Sequence, residues 1–178
     1  DPEGRSILML LVCAFLPAAV IGLAFGDSIK DKLFTPWAIV VAWAAGGVFL
    51  LWWKPVHGTR NIAEITLKNA LIIGVAQSLA MWPGVSRSLV TIVAALLVGC
   101  SMAAALEFSF LLGLATLTAA TALDLAKNGD ELVHAYGWGT PILGAVVAFA
   151  TAVIAVKWLV RFLAARPLAW FGWYRLAA

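Results

Sequence analysis

Four long apolar stretches restrict what this sequence can fold into. They cover residues 7–25, 36–53, 103–123 and 138–163. As α-helices, each can cross the ~30 Å hydrocarbon core of a bilayer. The composition agrees, because 63% of the residues are hydrophobic and only 12% are charged, whereas soluble domains are about half apolar and a quarter charged. We therefore predict an all-α integral membrane protein, a polytopic helical bundle that forms a single transmembrane domain over residues 1–178.

Charged residues give the predicted orientation. We expect polar loops at residues 26–35 and 124–136, and these loops carry most of the acidic residues. The opposite side of the membrane collects most of the basic residues, among them Arg5, Lys54, Arg60, Lys68, Arg161, Arg166 and Arg175. Cytoplasmic loops of membrane proteins are enriched in lysine and arginine. The second side is therefore predicted to be cytoplasmic.

Several functional classes are disfavoured by the distribution of polar residues. The net charge is only +3 and the basic residues form no single patch, so we expect no nucleic-acid partner. Cys13 and Cys100 lie in apolar sequence without metal-type spacing, and we interpret them as packing residues. The sequence shows no serine–histidine–acid set and no cluster of metal ligands. We therefore predict no metal-ligating residue in this chain.

One short segment interrupts the apolar pattern with a charge. Arg87 is the only charged residue between Lys68 and Glu107, and it lies three residues after a Pro83–Gly84 break. An arginine at membrane depth is costly, and broken helices there are tolerated only beside protein or a wet cavity. The flanking segments are 65–80 and 88–98, and the second is too short to span by itself. We predict a re-entrant helical hairpin; two full spans joined by a surface turn remain an alternative.

The residues around Arg87 have the chemistry of an anion-binding site. Gly84 allows close approach of the backbone, and the N-terminus of the following helix favours negative charge. The guanidinium of Arg87 can bind two phosphate oxygens at once. The predicted ligand-binding set is Gly84, Val85, Ser86, Arg87, Ser88 and Thr91. The alternative is a kinked hairpin in which Arg87 only neutralises a buried acid.

Three further polar residues are candidates for the same site. Glu107 lies inside a predicted span, so its carboxylate needs a partner there, and we favour pairing with Arg87 over a catalytic role. Gln77 lies one turn before the break and either reaches the site or bonds a neighbouring helix. Ser109 is the weakest of the three, because a serine in a membrane helix often bonds its own backbone.

At these residues the chain resembles the bacterial undecaprenyl-diphosphatases, also called bacitracin-resistance proteins. The family motif is Pro-Gly-x-Ser-Arg-Ser-x-x-Thr, which here is Pro83 to Thr91. Similar surroundings are Gly74-Val75-Ala76-Gln77, the segment from Glu107 to Leu112, and Trp173-Tyr174-Arg175. The residue after Ser-Arg-Ser is usually glycine in the family, whereas here it is Leu89.

The resemblance also implies an architecture. The family has two inverted repeats, each with a re-entrant hairpin and three spans. Its second motif, a Glu-rich segment followed by a histidine, does not occur in this sequence. We therefore expect the chain to begin inside a longer protein, with the first re-entrant segment and the last helix absent from it.

The function implied by the resemblance is hydrolysis of undecaprenyl diphosphate to undecaprenyl phosphate and inorganic phosphate, which recycles the lipid carrier for peptidoglycan synthesis. Arg87, Ser86 and Ser88 would be catalytic, and Gly84, Val85, Thr91, Gln77, Glu107 and Ser109 would bind substrate. A divalent cation, Mg²⁺ or Ca²⁺, would be held by ligands outside this chain. The enzyme would lie in the bacterial inner membrane among its lipids, as a possible homodimer, with its active site facing the periplasm. A flippase for a phosphorylated polyprenyl lipid and an inactive family member are the alternatives.

Overall fold

Helices make up nearly all of the protein, as the sequence predicts. The computed structural model describes residues 2–54, 56, 58–165 and 168–178. No β-strand occurs in these ranges. The α-helices are α1 (Pro2–Leu33), α2 (Pro36–Trp52), α3 (Leu67–Gln77), α4 (Arg87–Leu97), α5 (Met102–Tyr136), α6 (Gly139–Ala165) and α7 (Ala169–Ala177), with short 3₁₀ turns at Ile62–Glu64 and Ser78–Met81.

Three of the helices are long and apolar enough to cross a membrane, by length and composition. The segments concerned are Gly4–Leu33, Met102–Tyr136 and Gly139–Phe162. Helix α2 is shorter, with 17 residues, and contains no charged residue. The chain is therefore that of a multi-pass, all-α membrane protein.

Both predicted polar loops are largely helical in the structure, so that expectation was wrong. Helix α1 continues to Leu33, and α5 continues through the acidic segment to Tyr136, where Gly137 follows with a φ of +65°. The 32 residues of α1 give a rod of about 48 Å, which exceeds the ~30 Å of hydrocarbon. The polar ends of such helices can lie in water without ending the helix.

The chain forms two compact units. The first comprises Asp1–Ala115 and Leu168–Ala178, and the second comprises Thr116–Pro167. The second unit contains the C-terminal part of α5 and all of α6. Every residue predicted for the site lies in the first unit.

Helices α1 and α3 pack side by side in the same direction. Ala14 lies opposite Gly74, and Gly22 lies opposite Met81. A Cβ atom on Gly74 would collide with the backbone carbonyl group of Ala14. This glycine therefore allows the two helix backbones to approach closely, as small residues do between membrane helices.

Helices α2 and α7 run antiparallel and also meet at glycines. A Cβ atom on Gly47 would lie 3.2 Å from the carbonyl oxygen of Gly172, and one on Gly172 would lie 2.9 Å from that of Gly47. The contact leaves Gly46 facing the guanidinium of Arg175, where a Cβ atom would come within 2.5 Å of Nη1. The close approach of these helices thus determines where Arg175 lies.

Arg60 closes the C-terminal end of α4. Its side-chain Nη1 donates to the carbonyl oxygen of Val98 at 2.6 Å, while its backbone N–H donates to Gly99 and its carbonyl accepts from Ser101. A cation beside free carbonyls is favourable at a helix C-terminus. Cys100 lies fully buried in this turn, and burial raises the pKa of its thiol, an effect that the nearby Arg60 charge opposes.

Candidate functional site

The Pro-Gly break forms the tip of a helical hairpin. Helices α3 and α4 have 11 residues each, which corresponds to about 16 Å per helix. Between them Gly84 adopts a φ of +92°, a conformation that favours glycine. The backbone N–H of Val85 donates to the carbonyl of Trp82 at 3.0 Å and closes the turn. Two short helices therefore meet at the break, as predicted. We call residues Trp82 to Val85 the hairpin tip.

The hairpin tip packs against the first half of α2. The indole Nε1 of Trp82 donates to the carbonyl oxygen of Ala38 at 3.0 Å. A Cβ atom on Gly84 would lie 2.5 Å from the carbonyl oxygen of Ile39 and 3.1 Å from the Cβ of Ala42. Gly84 is thus required twice, for its backbone conformation and for its contact with α2.

Arg175 is a residue of this site whose burial the sequence interpretation did not predict. It is buried beside the hairpin tip with 6% of its surface exposed; its position on the cytoplasmic side stays a prediction. Its Nη2 donates to the carbonyl oxygen of Gly84, and its guanidinium carbon lies 4.6 Å from the ring centroid of Trp43. The reason is the antiparallel glycine contact described above, which carries Arg175 to the middle of α2.

Most of the hydrogen-bonding capacity of Arg175 is unused. Its Nε and Nη1 atoms are buried and have no hydrogen-bond partner among the described residues. A buried guanidinium without a counterion costs several kcal/mol relative to a solvated one. Such a residue is a candidate functional residue that could bind an anion.

A cavity of about 410 Å³ opens beside Arg175. Its walls come from one face of α4, from α2, and from the C-terminal end of α3 with the 3₁₀ turn and the hairpin tip. Arg175 is the only charged group among the described residues that line it. Leu89, which replaces the usual family glycine, lies in the wall. The volume is within the range of about 300–1,000 Å³ that is typical of ligand sites.

The Ser-Arg-Ser segment forms the N-terminus of α4. Ser86 is the N-cap, and its Oγ accepts from the backbone N–H of Leu89 at 3.3 Å. Its hydroxyl can still donate to a ligand. Arg87 is partly exposed and Ser88 is exposed. Since first-turn N–H groups have no acceptor within their helix, this end of α4 offers amide, hydroxyl and guanidinium donors together.

Thr91 and Ser109 contact each other. Thr91 is 1% exposed and Ser109 is 4% exposed, and their hydroxyl oxygens are 2.6 Å apart. The Thr91 hydroxyl also lies 2.9 Å from the carbonyl of Arg87. Both hydroxyls are thus used within the protein, where they join α4 to α5. Their assignment to substrate binding stays a prediction.

Gln77 and Glu107 lie apart from the cavity. Gln77 is 3% exposed, on the face of α3 that carries Gly74 toward α1, and its Oε1 has no partner in the described ranges. Glu107 is exposed among the described residues, and its pairing with Arg87 stays a prediction. Its neighbours Leu106 and Phe108 are buried, which shows that Glu107 lies on the opposite face of α5.

The described residues contain no group of three His, Cys, Asp or Glu side chains that could hold a metal ion. They therefore do not fit a divalent cation by themselves. Of the polar residues predicted for the site, the structure brings Ser86, Arg87 and Ser88 close to Gly84 and Val85 along the chain, and it adds Arg175. One feature of the sequence could have indicated Arg175 as a site residue: it is a charged residue in the short aromatic segment Trp173-Tyr174-Arg175.

Known proteins resemble this chain throughout its length. The profile of the family described as "Bacitracin resistance protein BacA" matches residues 1–178. A protein named undecaprenyl-diphosphatase from Sorangium cellulosum is 43% identical over 99% of this chain and 60% of its own length. Undecaprenyl-diphosphatase 2 of Rhodospirillum rubrum is 42% identical over 99% of this chain and 65% of its own length. The undecaprenyl-diphosphatase of Rhodopseudomonas palustris is 41% identical over 99% of this chain and 66% of its own length.

This chain thus spans between 60% and 66% of the length of these three relatives. The match nevertheless includes every residue of the chain, and with it the hairpin tip, the N-terminus of α4 and Arg175. The chain belongs to the bacitracin resistance protein BacA family.

Proposed function

We propose that the protein to which this chain belongs hydrolyses undecaprenyl diphosphate to undecaprenyl phosphate and inorganic phosphate. The observation that carries the proposal is the Ser86–Ser88 segment at the N-terminus of α4, directly beyond the hairpin tip. Its donors suit a diphosphate, and relatives over 40% identical are named for this activity. The reaction would recycle the lipid carrier used in peptidoglycan synthesis.

In this proposal α4 supplies binding and charge stabilisation. During phosphoryl transfer, negative charge is spread over the equatorial oxygens of the transferred group and over the leaving oxygen. The fork of Arg87 would bind two of these oxygens, and the hydroxyls of Ser86 and Ser88 with the first-turn amides would bind others. Donors oriented before the reaction stabilise this charge without reorganisation.

The position of the site in the membrane is part of the proposal. The hairpin would re-enter from one side of the inner membrane, since α3 and α4, at about 16 Å each, are too short to span ~30 Å. In an inverted-repeat architecture such tips meet near the midplane. The site would open to the periplasm, and the protein would be a homodimer.

A divalent cation would assist this reaction by neutralising phosphate charge. We propose that its ligands, and the group that attacks phosphorus, come from segments outside residues 1–178. This chain's own part is then to bind and orient the diphosphate through the N-terminus of α4.

The decisive experiment measures phosphate release from undecaprenyl diphosphate by the full-length protein in detergent. We compare the wild type with Arg87→Ala, Arg87→Lys and the control Arg161→Ala, which removes an arginine from α6. The loss of one preorganised donor costs about 10²–10³ in kcat, so Arg87→Ala should lose at least that much. Arg87→Lys should also be poor, because an ammonium cannot bind two oxygens in the bidentate geometry of a guanidinium.

Arg161→Ala should retain wild-type activity. Full activity of folded Arg87→Ala would overturn the role of α4. Absence of release by folded wild-type protein would overturn the hydrolase assignment; in that case transbilayer movement of the lipid in proteoliposomes would distinguish a flippase from an inactive protein.

A further inference from the structure

We propose that Ser109 of α5 is a positioning residue for the reaction. Through the hydroxyl of Thr91 it orients the peptide unit between Arg87 and Ser88, so that the N–H of this unit donates to the phosphate. This inference rests on the proposed function and deepens it, because it adds a residue of another helix to the N-terminal turn of α4. It gives both hydroxyls a role that needs no contact with substrate.

The direction of these hydrogen bonds follows from the number of protons. The Thr91 hydroxyl oxygen lies 2.6 Å from that of Ser109 and 2.9 Å from the carbonyl oxygen of Arg87; the carbonyl oxygen of Ser88 is more distant, at 3.3 Å. A hydroxyl has one proton, and a carbonyl oxygen can only accept. Thr91 therefore donates to Arg87, and Ser109 donates to Thr91. A hydroxyl that accepts a hydrogen bond is itself a stronger donor.

The bond from Thr91 fixes one peptide unit of the first turn. A trans peptide unit is planar, and in a helix its carbonyl points toward the C-terminal end while its N–H points toward the N-terminal end. The carbonyl of Arg87 and the N–H of Ser88 belong to the same unit. Holding this carbonyl from the side of α5 therefore aims the Ser88 N–H at a ligand on the N-terminus of α4.

The N–H of Ser88 is a suitable donor because the two amides after it are already used. The N–H of Leu89 donates to the Oγ of Ser86 at 3.3 Å, and the N–H of Val90 donates to the carbonyl of Ser86 at 3.1 Å. The N–H of Ser88 has no acceptor within its own helix. A peptide unit whose carbonyl accepts a hydrogen bond also donates more strongly through its N–H.

Burial separates Thr91 from an ordinary helical threonine. Thr151 of α6 also bonds its own helix, at the carbonyls of Val147 and Ala148, as threonines in helices often do. Thr151 is exposed. Thr91 and Ser109 are 1% and 4% exposed, so water does not compete for their hydrogen bonds. Thr151 therefore serves as the matched control.

The first test measures kcat and KM for undecaprenyl diphosphate with full-length protein in nanodiscs. Ser109→Ala and Thr91→Val should each lower kcat about tenfold, an indirect effect below the factor of about 10²–10³ for a lost direct donor. Their KM should change little, because the donor acts on charge that develops in the transition state. Thr91→Ser keeps the hydroxyl and should recover most of the kcat lost in Thr91→Val. Thr151→Val should keep the wild-type kcat.

Thermal unfolding of the same proteins separates positioning from packing. Thr91→Ser removes a buried methyl group and should lower the apparent Tm, yet it should keep most of the kcat. Because Ser109 acts only through Thr91, the double variant Thr91→Val/Ser109→Ala should be no slower than Thr91→Val. The inference is overturned if kcat follows Tm across these variants, or if folded Ser109→Ala has the wild-type kcat.

The second test needs no turnover. Full-length protein is labelled with ¹⁵N-serine, and the amide signal of Ser88 is assigned through Ser88→Ala. Ser109→Ala should shift this signal upfield, because the peptide unit loses polarisation, while the amide of Ser101, which donates to Arg60, should not move. Inorganic diphosphate should shift the Ser88 signal of the wild type, and less so that of Ser109→Ala.

The outcomes distinguish the two proposals. A Ser88 signal that is the same in Ser109→Ala and in an active wild type overturns the inference alone. Absence of phosphate release by folded wild-type protein overturns the proposed function, and with it the role of Ser109 in the reaction.

Discussion

The guanidinium of Arg175 donates a hydrogen bond to the carbonyl oxygen of Gly84, a residue 91 positions earlier in the chain. Helix α7 is thereby joined to the turn that precedes the Ser86–Ser88 segment. The positive φ at position 84 and its close contact with α2 both require a glycine. The position of Arg175 depends on the glycines through which α2 and α7 pack. The site is thus built from three helices that are distant in sequence.

Replacing Arg175 should reduce activity more than stability. We expect Arg175→Gln to lower kcat/KM about 10²-fold, as the loss of one preorganised donor does, with Arg175→Lys intermediate. Removing a buried charge that lacks a counterion offsets the lost hydrogen bond, so the apparent Tm should change little. Phosphate-release kinetics and thermal unfolding of the full-length protein measure both.

Ligand stabilisation separates anion binding by Arg175 from a purely structural role. Inorganic diphosphate should raise the apparent Tm of the wild type, because a ligand that binds only the folded state stabilises it. The same addition should raise the Tm of Arg175→Gln less. Equal shifts in the two proteins would contradict an anion site at Arg175.

Gly84→Ala should destabilise the hairpin tip. A side chain in the left-handed region costs about 1–2 kcal/mol, and here the Cβ would lie 2.5 Å from the Ile39 carbonyl oxygen. We expect a lower apparent Tm and loss of phosphate release. The matched control is Gly113→Ala, where a Cβ atom meets nothing within 4 Å; an unchanged or higher Tm is expected there, and equal effects of the two changes would refute the packing argument.

The Thr91–Ser109 contact predicts a thermodynamic coupling between α4 and α5. Hydrogen bonds between membrane helices contribute about 0.6 kcal/mol on average, with maxima near 1.7. Thr91→Val and Ser109→Ala should each destabilise the protein, and the double variant should lose less than their sum. If both hydroxyls act only in packing, the double variant keeps substantial activity; complete inactivity of a folded double variant would favour substrate contact.

Cys100 should resist alkylation. Only the thiolate reacts, burial raises the pKa of this thiol, and the side chain is 0% exposed. With the other cysteines replaced, a water-soluble maleimide should label Cys100 slowly at pH 7 and faster at higher pH. Lys68→Cys in a Cys100→Ser background, at an exposed position of α3, should label rapidly. Rapid labelling of Cys100 at pH 7 would contradict the closed turn around Arg60.

Local sequence information predicted the all-helical class and the two short helices that meet at the Pro-Gly break. Apolar runs without polar side chains have few alternatives to helix in a membrane, and a Pro-Gly pair flanked by short apolar segments leads to a turn. The ends of α1 and α5 were not predicted. Charged side chains indicate exposure to water, and a helix exposed to water carries them as readily as a loop does. Helix α2 begins at Pro36, with Thr35 as its N-cap.

The interior contacts depended on information that no segment contains by itself. Glu107 and Ser109 are two residues apart, yet one is exposed and the other is buried, because their side chains point to different faces of α5. Sequence position could not decide which face meets α4. Charge counting grouped Arg175 with the basic residues but could not show that it is buried against Gly84.

The sequence by itself determined the membrane class, the family, and the segment whose donors suit a phosphate. Those properties follow from composition, from apolar length and from a contiguous motif. Only the tertiary structure decided that Arg175 joins Gly84 and faces an apolar cavity. That arrangement depends on the approach of Gly46 and Gly47 on α2 to Gly172 on α7, and close packing between distant helices is a property of the folded chain alone.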